Sequence, residues 1–235
     1  MKAVVIIPTY NEGRNIKSLV KEILTLYPGI QILIIDDNSP DGTGGLADSL
    51  SKEQEGVYVI HRPKKLGLGS AYKEGFDWAI KKSFDYILQM DADFSHRPID
   101  IFGILKEAES GADLVIGSRY KDGLRVKGWS IFRIYLSYFA NLYVRIILGV
   151  KIYDMTSGFR CFRADTLRKI DLSLIRSEGY AFQIEMVYLY CQKGFIIKES
   201  PIVFIERKSG KSKFNIKIII EAFLVVLKLR FFKSG

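Results

Sequence analysis

The stretch Asp85-Tyr-Ile-Leu-Gln-Met-Asp-Ala-Asp-Phe-Ser-His-Arg-Pro98 decides the fold class. Tyr86, Ile87, Leu88 and Met90 form an apolar run with β-favouring residues at its start, which predicts a strand. The strand delivers Asp91 and Asp93, two positions apart, at its C-terminal end. Pro98 fits the first position of a following helix. In an open α/β sheet, ligands bind in the crevice outside the carboxyl ends of the strands. Two carboxylates there, with no Lys or Arg between them, repel each other unless a cation sits on them. Oxygen ligands suit Mg²⁺ or Mn²⁺, and Mg²⁺ in particular combines one or two carboxylates with substrate phosphates. Taken alone, the pair also fits two solvated aspartates in a loop.

The flanking chain extends the pattern. Ala3-Val-Val-Ile-Ile-Pro8 is an unbroken apolar strand of the kind buried on both faces of a parallel sheet. Residues 15–27 have helical spacing and stop at Pro28-Gly29. Strands are predicted over 31–35, 57–60 and 113–117, and helices over 43–54, 71–82 and 99–109. This alternation predicts an α/β fold with a doubly wound, mostly parallel, Rossmann-like sheet. Right-handed crossovers then bring the loops after the strands to one edge. Those loops carry Tyr10 and Glu12, Asp36 and Asp37, Gly67 and Gly69, Asp91 and Asp93, and Arg119.

Beyond Gly117 the pattern changes. A charged loop (118–130) precedes a long apolar helix over about 131–148, with Gly149 as its stop. Residues 154–162 pass from irregular to strand, 182–192 are helical, and 195–205 hold two short strands around Pro201. The basic segment 206–213 leads into a closing apolar helix that carries Lys217, Glu221, Lys228 and Arg230. One domain, residues 1–214, with an amphipathic C-terminal helix in 215–235 is the expected organisation.

Composition narrows the chemistry. The 235 residues are 48% apolar, enough for one substantial domain. Cys161 and Cys191 offer no disulfide framework, and with only His61 and His96 a zinc site lacks ligands. Residues 1–117 hold 13 Lys and Arg against 17 Asp and Glu, whereas 118–235 hold 22 against 9. The second half is therefore strongly basic and suits an anionic partner: nucleic acid, a phosphate-bearing substrate or an anionic membrane face. A strand-like run beginning at Ala3 argues against a signal peptide, and no uncharged apolar run of 18 residues predicts a conventional transmembrane helix. A dinucleotide fingerprint is missing after the first strand, and Gly67-Leu-Gly69 comes after the third strand without a third glycine. No Gly-x-Ser-x-Gly elbow appears. The basic residues interleave with apolar helices and match no nucleic-acid module, so nucleic acid is not an expected partner. Nucleotide-sugar chemistry remains: a metal on Asp91 and Asp93 neutralising a diphosphate, with Glu12 and Asp37 available for ribose and base.

The residues that carry this chemistry also carry a likeness. Val5-Ile-Ile-Pro-Thr-Tyr-Asn-Glu12, Ile35-Asp-Asp-Asn-Ser-Pro-Asp-Gly-Thr43, Leu66-Gly-Leu-Gly-Ser-Ala71 and Met90-Asp-Ala-Asp-Phe-Ser-His96 resemble the family 2 inverting glycosyltransferases of the GT-A fold. Gly117-Ser-Arg-Tyr120, Trp129, Arg133, Ala140-Asn141, Asp154-Met-Thr-Ser-Gly-Phe-Arg160 and Phe204-Ile-Glu-Arg-Lys-Ser-Gly-Lys-Ser-Lys213 resemble its polyprenol (dolichol) phosphate mannose synthase subgroup. The resemblance implies metal-dependent, inverting transfer of mannose from GDP-mannose to a polyprenyl or dolichyl monophosphate. Its nearest rival is glucosyl transfer from UDP-glucose to the same acceptor. By the same resemblance Pro8, Tyr10, Glu12 and Asp37 line the guanosine pocket. Asp91, Ala92 and Asp93 meet the diphosphate, with Mg²⁺ or Mn²⁺ on the two acids. Ser95 stands where similar enzymes place another metal ligand. Arg119 and Arg133 grip the acceptor phosphate or the mannose, and Arg207 and Lys213 close over the diphosphate. Asp91, Asp93, Arg119 and Arg133 are the expected catalytic set.

A lipid phosphate is already an anion near neutral pH, so positioning and charge neutralisation suffice without a general base. Such an acceptor lives in a bilayer. The closing helix suits an interfacial position near anionic lipid, whereas the helix from Ile131 reads mostly as core. The expected location is the cytoplasmic face of a membrane, peripherally bound. Similar enzymes often carry transmembrane helices past this point, and a membrane-anchoring partner subunit is the alternative.

Overall fold

The computed structural model describes residues 2–175, 177–206 and 216–231. Five strands, β1 (Ala3–Thr9), β2 (Gln31–Asp36), β3 (Val57–His61), β4 (Tyr86–Gln89) and β5 (Leu114–Ser118), alternate with α1 (Ile16–Leu26), α2 (Thr43–Glu53), α3 (Leu68–Lys81) and α4 (Ile101–Glu109). Then follow β6 (Val126–Lys127), α5 (Ile131–Leu148), β7 (Arg160–Arg163), α6 (Ala164–Leu167), α7 (Gly179–Gln192), β8 (Ile197–Pro201), β9 (Phe204–Ile205) and α8 (Ile216–Phe231). The main sheet has seven strands in the order β3-β2-β1-β4-β7-β5-β8, and β6 pairs with β9 beside it.

Side chains alternate across the sheet, so each strand feeds two cores. Val4, Ile6, Leu33, Ile35 and Ile87 pack with Tyr72, Phe76 and Phe182 from α3 and α7. Ala3, Val5, Ile7, Ile32, Ile34 and Leu88 pack with Leu19, Val20, Ile23 and Ile104 from α1 and α4. Burial on both faces explains why β1 reads as a continuous apolar run. Chain direction around β1 sets the site. From β1 the order runs outward to β2 and β3 on one side and to β4 on the other. The crevice between the ends of β1 and β4 is thus a topological switch point, the expected place for a ligand.

Sheet direction departs from the simple alternation at β7, which is antiparallel to both neighbours, β4 and β5. The cause lies in α5. Instead of crossing a sheet face, α5 packs along α8 and buries only Asn141, Val144 and Leu148. The chain therefore re-enters the sheet from the edge where β5 left it and runs the opposite way. That turn brings Asp154–Gly158 to the same edge as the strand-end loops.

Two helices start three residues earlier than their apolar spacing indicates, α3 at Leu68 and α7 at Gly179. One side chain accounts for the first. Glu178 accepts hydrogen bonds from the N–H groups of Gly69 (2.5 Å) and Ser70 (3.2 Å), capping α3 from 108 residues away. A Cβ on Gly67, where φ is +103°, would lie 2.6 Å from the Glu178 carboxylate. Gly67-Leu-Gly69 is thus a seat for an internal carboxylate.

The reading of α5 as a core helix is corrected. Ile131, Phe132, Tyr135, Phe139 and Ile146 are all more than half exposed. By length and composition α5 is able to cross a bilayer, although Arg133 and Arg145 interrupt it and one face packs on protein. The closing helix α8 contacts α7 and α5, with Val226 fully buried and Phe223, Leu224 and Phe231 exposed.

Candidate active site

The acid pair is built by a tight turn after β4. The Asp91 N–H donates to His96 Nδ1 (3.1 Å), and the Ser95 N–H donates to Asp93 Oδ1 (3.0 Å). Between them Phe94 adopts φ of +60°, a left-handed conformation that an aromatic residue holds only when its surroundings impose it. His96 is buried and stacks on Phe159 with ring centroids 4.9 Å apart. Burial lowers its pKa, and because Nδ1 accepts from Asp91 the ring is a neutral imidazole. Its role is to shape the turn.

Within that turn Ala92, Asp93 and Ser95 are buried, while the Asp91 side chain is 37% exposed. Among the described residues there is no cluster of three or more His, Cys, Asp or Glu able to hold a metal. The Ser95 hydroxyl is buried without a hydrogen-bond partner among them. Two carboxylates and an orphaned hydroxyl form an all-oxygen donor set, which fits a hard divalent cation that completes its shell with phosphate and water.

Across the crevice, Pro8 lies in β1 and Tyr10 follows it, with Lys65 Nζ 4.0 Å over the Tyr10 ring. Asn11 and Asn38 take positive φ (62° and 55°), folding the loops after β1 and β2 back on themselves. Glu12 accepts from Asn15 Nδ2 (2.8 Å), and its own N–H donates to Thr43 Oγ1 (3.0 Å). Asp37 is buried and engaged. It pairs with Arg62 (3.0 Å) and accepts from the N–H groups of Leu66 and Gly67. The acid expected to meet the nucleoside therefore also fastens the loop after β3.

The opposite wall is cationic. Arg119 directs Nε and Nη2 at the two oxygens of Asp154 (2.7 and 2.6 Å), and its backbone N–H donates to the same carboxylate (2.9 Å). Thr156 Oγ1 also accepts from Nη2 (2.7 Å). Both partners are buried. Burial favours the neutral acid, but the Arg119 guanidinium outweighs it and holds Asp154 below the usual carboxylate range. Reciprocally, Asp154 keeps Arg119 charged against the effect of burial. Nearby Arg160 is fully buried on the carbonyls of Ser157, Gln183 and Met155, and desolvation brings its pKa down to about 9.

Arg133 lies 4.2 Å over the Trp129 ring and pairs with Glu206 (2.8 Å). Arg119 and Arg133, both close to the Trp129 ring (5.4 and 4.2 Å), line an apolar cavity of about 360 Å³, whose walls include Tyr143, Tyr180 and Phe223. Phe204 links the two walls, 5.6 Å from the Arg119 guanidinium and 5.7 Å from the His96 ring. Expected site residues Arg207 and Lys213 lie outside the described residues. Asp154, His96 and Tyr180 had no assigned role in the sequence. Asp154 sits in a quoted block, and its distance from Arg119 along the chain gives no local signal.

Residues 4–171 match the model of glycosyl transferase family 2. The chain belongs to that family. This family 2 transferase is 45% identical over 226 residues to a polyprenol monophosphomannose synthase of Mycolicibacterium smegmatis, covering 96% of this chain and 85% of that one. It is 43% identical over 228 residues to an undecaprenyl-phosphate mannosyltransferase of Micrococcus luteus, covering 97% and 93%. Among solved structures, glucosyl-3-phosphoglycerate synthase from Mycobacterium tuberculosis, in complex with Mn²⁺, UDP and glucosyl-3-phosphoglycerate, superposes with a TM-score of 0.69. Its identity is 19%, and the match covers 97% of this chain and 79% of that one. The transferase thus has the GT-A fold, α/β with a mostly parallel central sheet.

Proposed function

We propose that this family 2 transferase moves mannose from GDP-mannose to a polyprenyl or dolichyl monophosphate, with inversion, giving the β-mannosyl lipid phosphate and GDP. One observation carries the reading: an apolar cavity lined by Arg119 and Arg133, with Phe204 lying between Arg119 and His96 of the Asp91–Asp93 turn. Such a cavity suits a molecule with an anionic head and a hydrocarbon tail. The names of the two mannosyl-transferring relatives point the same way.

The donor lies in the crevice between β1 and β4, its nucleoside toward Pro8, Tyr10, Glu12 and Asp37. Asp91 and Asp93, with Ser95 at hand, would hold Mg²⁺ or Mn²⁺, which would supply charge neutralisation for a diphosphate leaving group. Arg119 and Arg133 orient the lipid phosphate for in-line attack on the anomeric carbon. No side chain has to remove a proton, because the nucleophile arrives ionised; Asp154 fixes the geometry of Arg119. Residues 1–214 form the catalytic domain in this reading, and 215–235 supply an interfacial helix. The exposed apolar faces of α5 and α8 then rest on the cytoplasmic face of a membrane and open the cavity toward lipid. A membrane-anchoring partner is compatible with that face.

Incubation with Mn²⁺, dolichyl phosphate and radiolabelled GDP-mannose is expected to place label in the lipid extract, and labelled UDP-glucose is expected to place none. Label from UDP-glucose alone overturns the donor, and no lipid label from either overturns the transferase. Asp93→Ala should abolish the label.

A further inference from the structure

Glu199 lies in β8, the edge strand beside β5, opposite Ile116 in the pairing register. It is not among the residues that line the cavity. Instead each carboxylate oxygen accepts one backbone N–H from the turn before β7, Tyr153 at 2.9 Å and Asp154 at 3.0 Å. The same carboxylate also meets the Ser118 hydroxyl. The Ser118 oxygen in turn accepts from the N–H groups of Tyr120 (3.3 Å) and Lys121 (3.1 Å). Glu199 therefore ties together the two turns that carry Arg119 and Asp154, and both turns are irregular segments without a ladder of their own. Asp154 transmits the constraint, since it holds Arg119 by its backbone N–H, Nε and Nη2.

Electrostatics alone disfavours an acid here. Burial raises the Glu199 pKa, and the neighbouring Asp154 carboxylate raises it further. What a carboxylate offers at this position is two acceptor oxygens for two diverging N–H groups, which an amide cannot supply.

We propose that Glu199 is a positioning residue for acceptor recognition: it sets the orientation of the Arg119 fork through Asp154, and so the capture of a lipid-borne phosphate. The inference rests on the lipid-phosphate acceptor proposed above, and its test separates the two. Glu199→Gln is nearly isosteric and retains only one acceptor, and Glu199→Ala removes both. Initial rates are measured on the full chain, varying farnesyl phosphate in detergent micelles at saturating GDP-mannose, then the reverse. The acceptor KM is expected to rise about tenfold in Glu199→Gln and more in Glu199→Ala, by analogy with the loss of an outer partner of a metal ligand. The donor KM should stay within about twofold. Lys198→Ala on the same strand, which loses an exposed pair with Glu107 (3.0 Å), should change neither KM. Equal rises in both constants, a fall in kcat alone, or no change overturns the role of Glu199 and leaves the transferase intact. Wild-type protein that transfers no mannose to any prenyl phosphate overturns both.

Discussion

At Asp154 two opposing effects meet: burial favours the protonated acid and the Arg119 guanidinium favours the carboxylate, with the carboxylate winning. The sign of the pH dependence follows. A carboxyl group whose folded pKa lies below its ordinary 3.8 contributes stability that is complete above that value and is lost as pH falls through the folded pKa. Urea unfolding of the wild type should therefore weaken below about pH 4, and Asp154→Asn should flatten that dependence. The same variant should lose about 3–5 kcal/mol at neutral pH, because it strands a buried guanidinium. Arg119→Lys keeps the charge but not the two-pronged geometry, and kcat/KM for the lipid acceptor should fall about tenfold or more. Sequence shows some of these residues better than others. Asp91 and Asp93 stand out because a strand ends beside them and nothing cationic separates them. Asp154 does not, because what defines it is a partner 35 positions away. Asp37 was legible as a strand-end acid, but its engagement with Arg62 and the Leu66 and Gly67 amides appears only in three dimensions.

At the level of elements, local periodicity located the helices but not the contacts that start or cover them. Helix α3 begins early because a distant carboxylate caps it, and Gly67 is the residue that makes room. Gly67→Ala should lower stability by about 1–3 kcal/mol, since the position needs positive φ and an added methyl meets Glu178. Gly45, inside α2 with open space around its Cα, offers the contrast: Gly45→Ala should raise the melting temperature, worth up to about 1 kcal/mol. Both are read by thermal unfolding. The α5 case is different in kind. Eighteen mostly apolar residues specify an apolar neighbour without saying whether protein or lipid provides it. Only the packed structure shows that, among the described residues, few α5 side chains are fully covered by the rest of the chain.

For the whole molecule, the basic excess of residues 118–235 coincides with the segment that bears α5 and α8. Attraction to an anionic surface and insertion of aromatic side chains should then act together. Flotation with phosphatidylserine-containing vesicles should recover the protein, more weakly with neutral vesicles, and binding should decline as salt is raised to about 0.5 M. Phe132→Ser combined with Phe139→Ser should reduce recovery from both kinds, since both rings are exposed and contribute little to the core. Fold class was legible because alternation survives through β5. The reversed strand was not, since a helix that fails to cross the sheet looks like one that does.

That reversed strand has a consequence for biosynthesis. Every loop on the donor side has been synthesised once residue 118 is added, yet β4 still lacks one neighbour, because β7 arrives only with Arg160–Arg163. Until then β4 and β5 offer unpaired edges to any other nascent chain. A polypeptide ending at Ser118 should precipitate instead of binding nucleotide, and one extended past β8 should stay in solution.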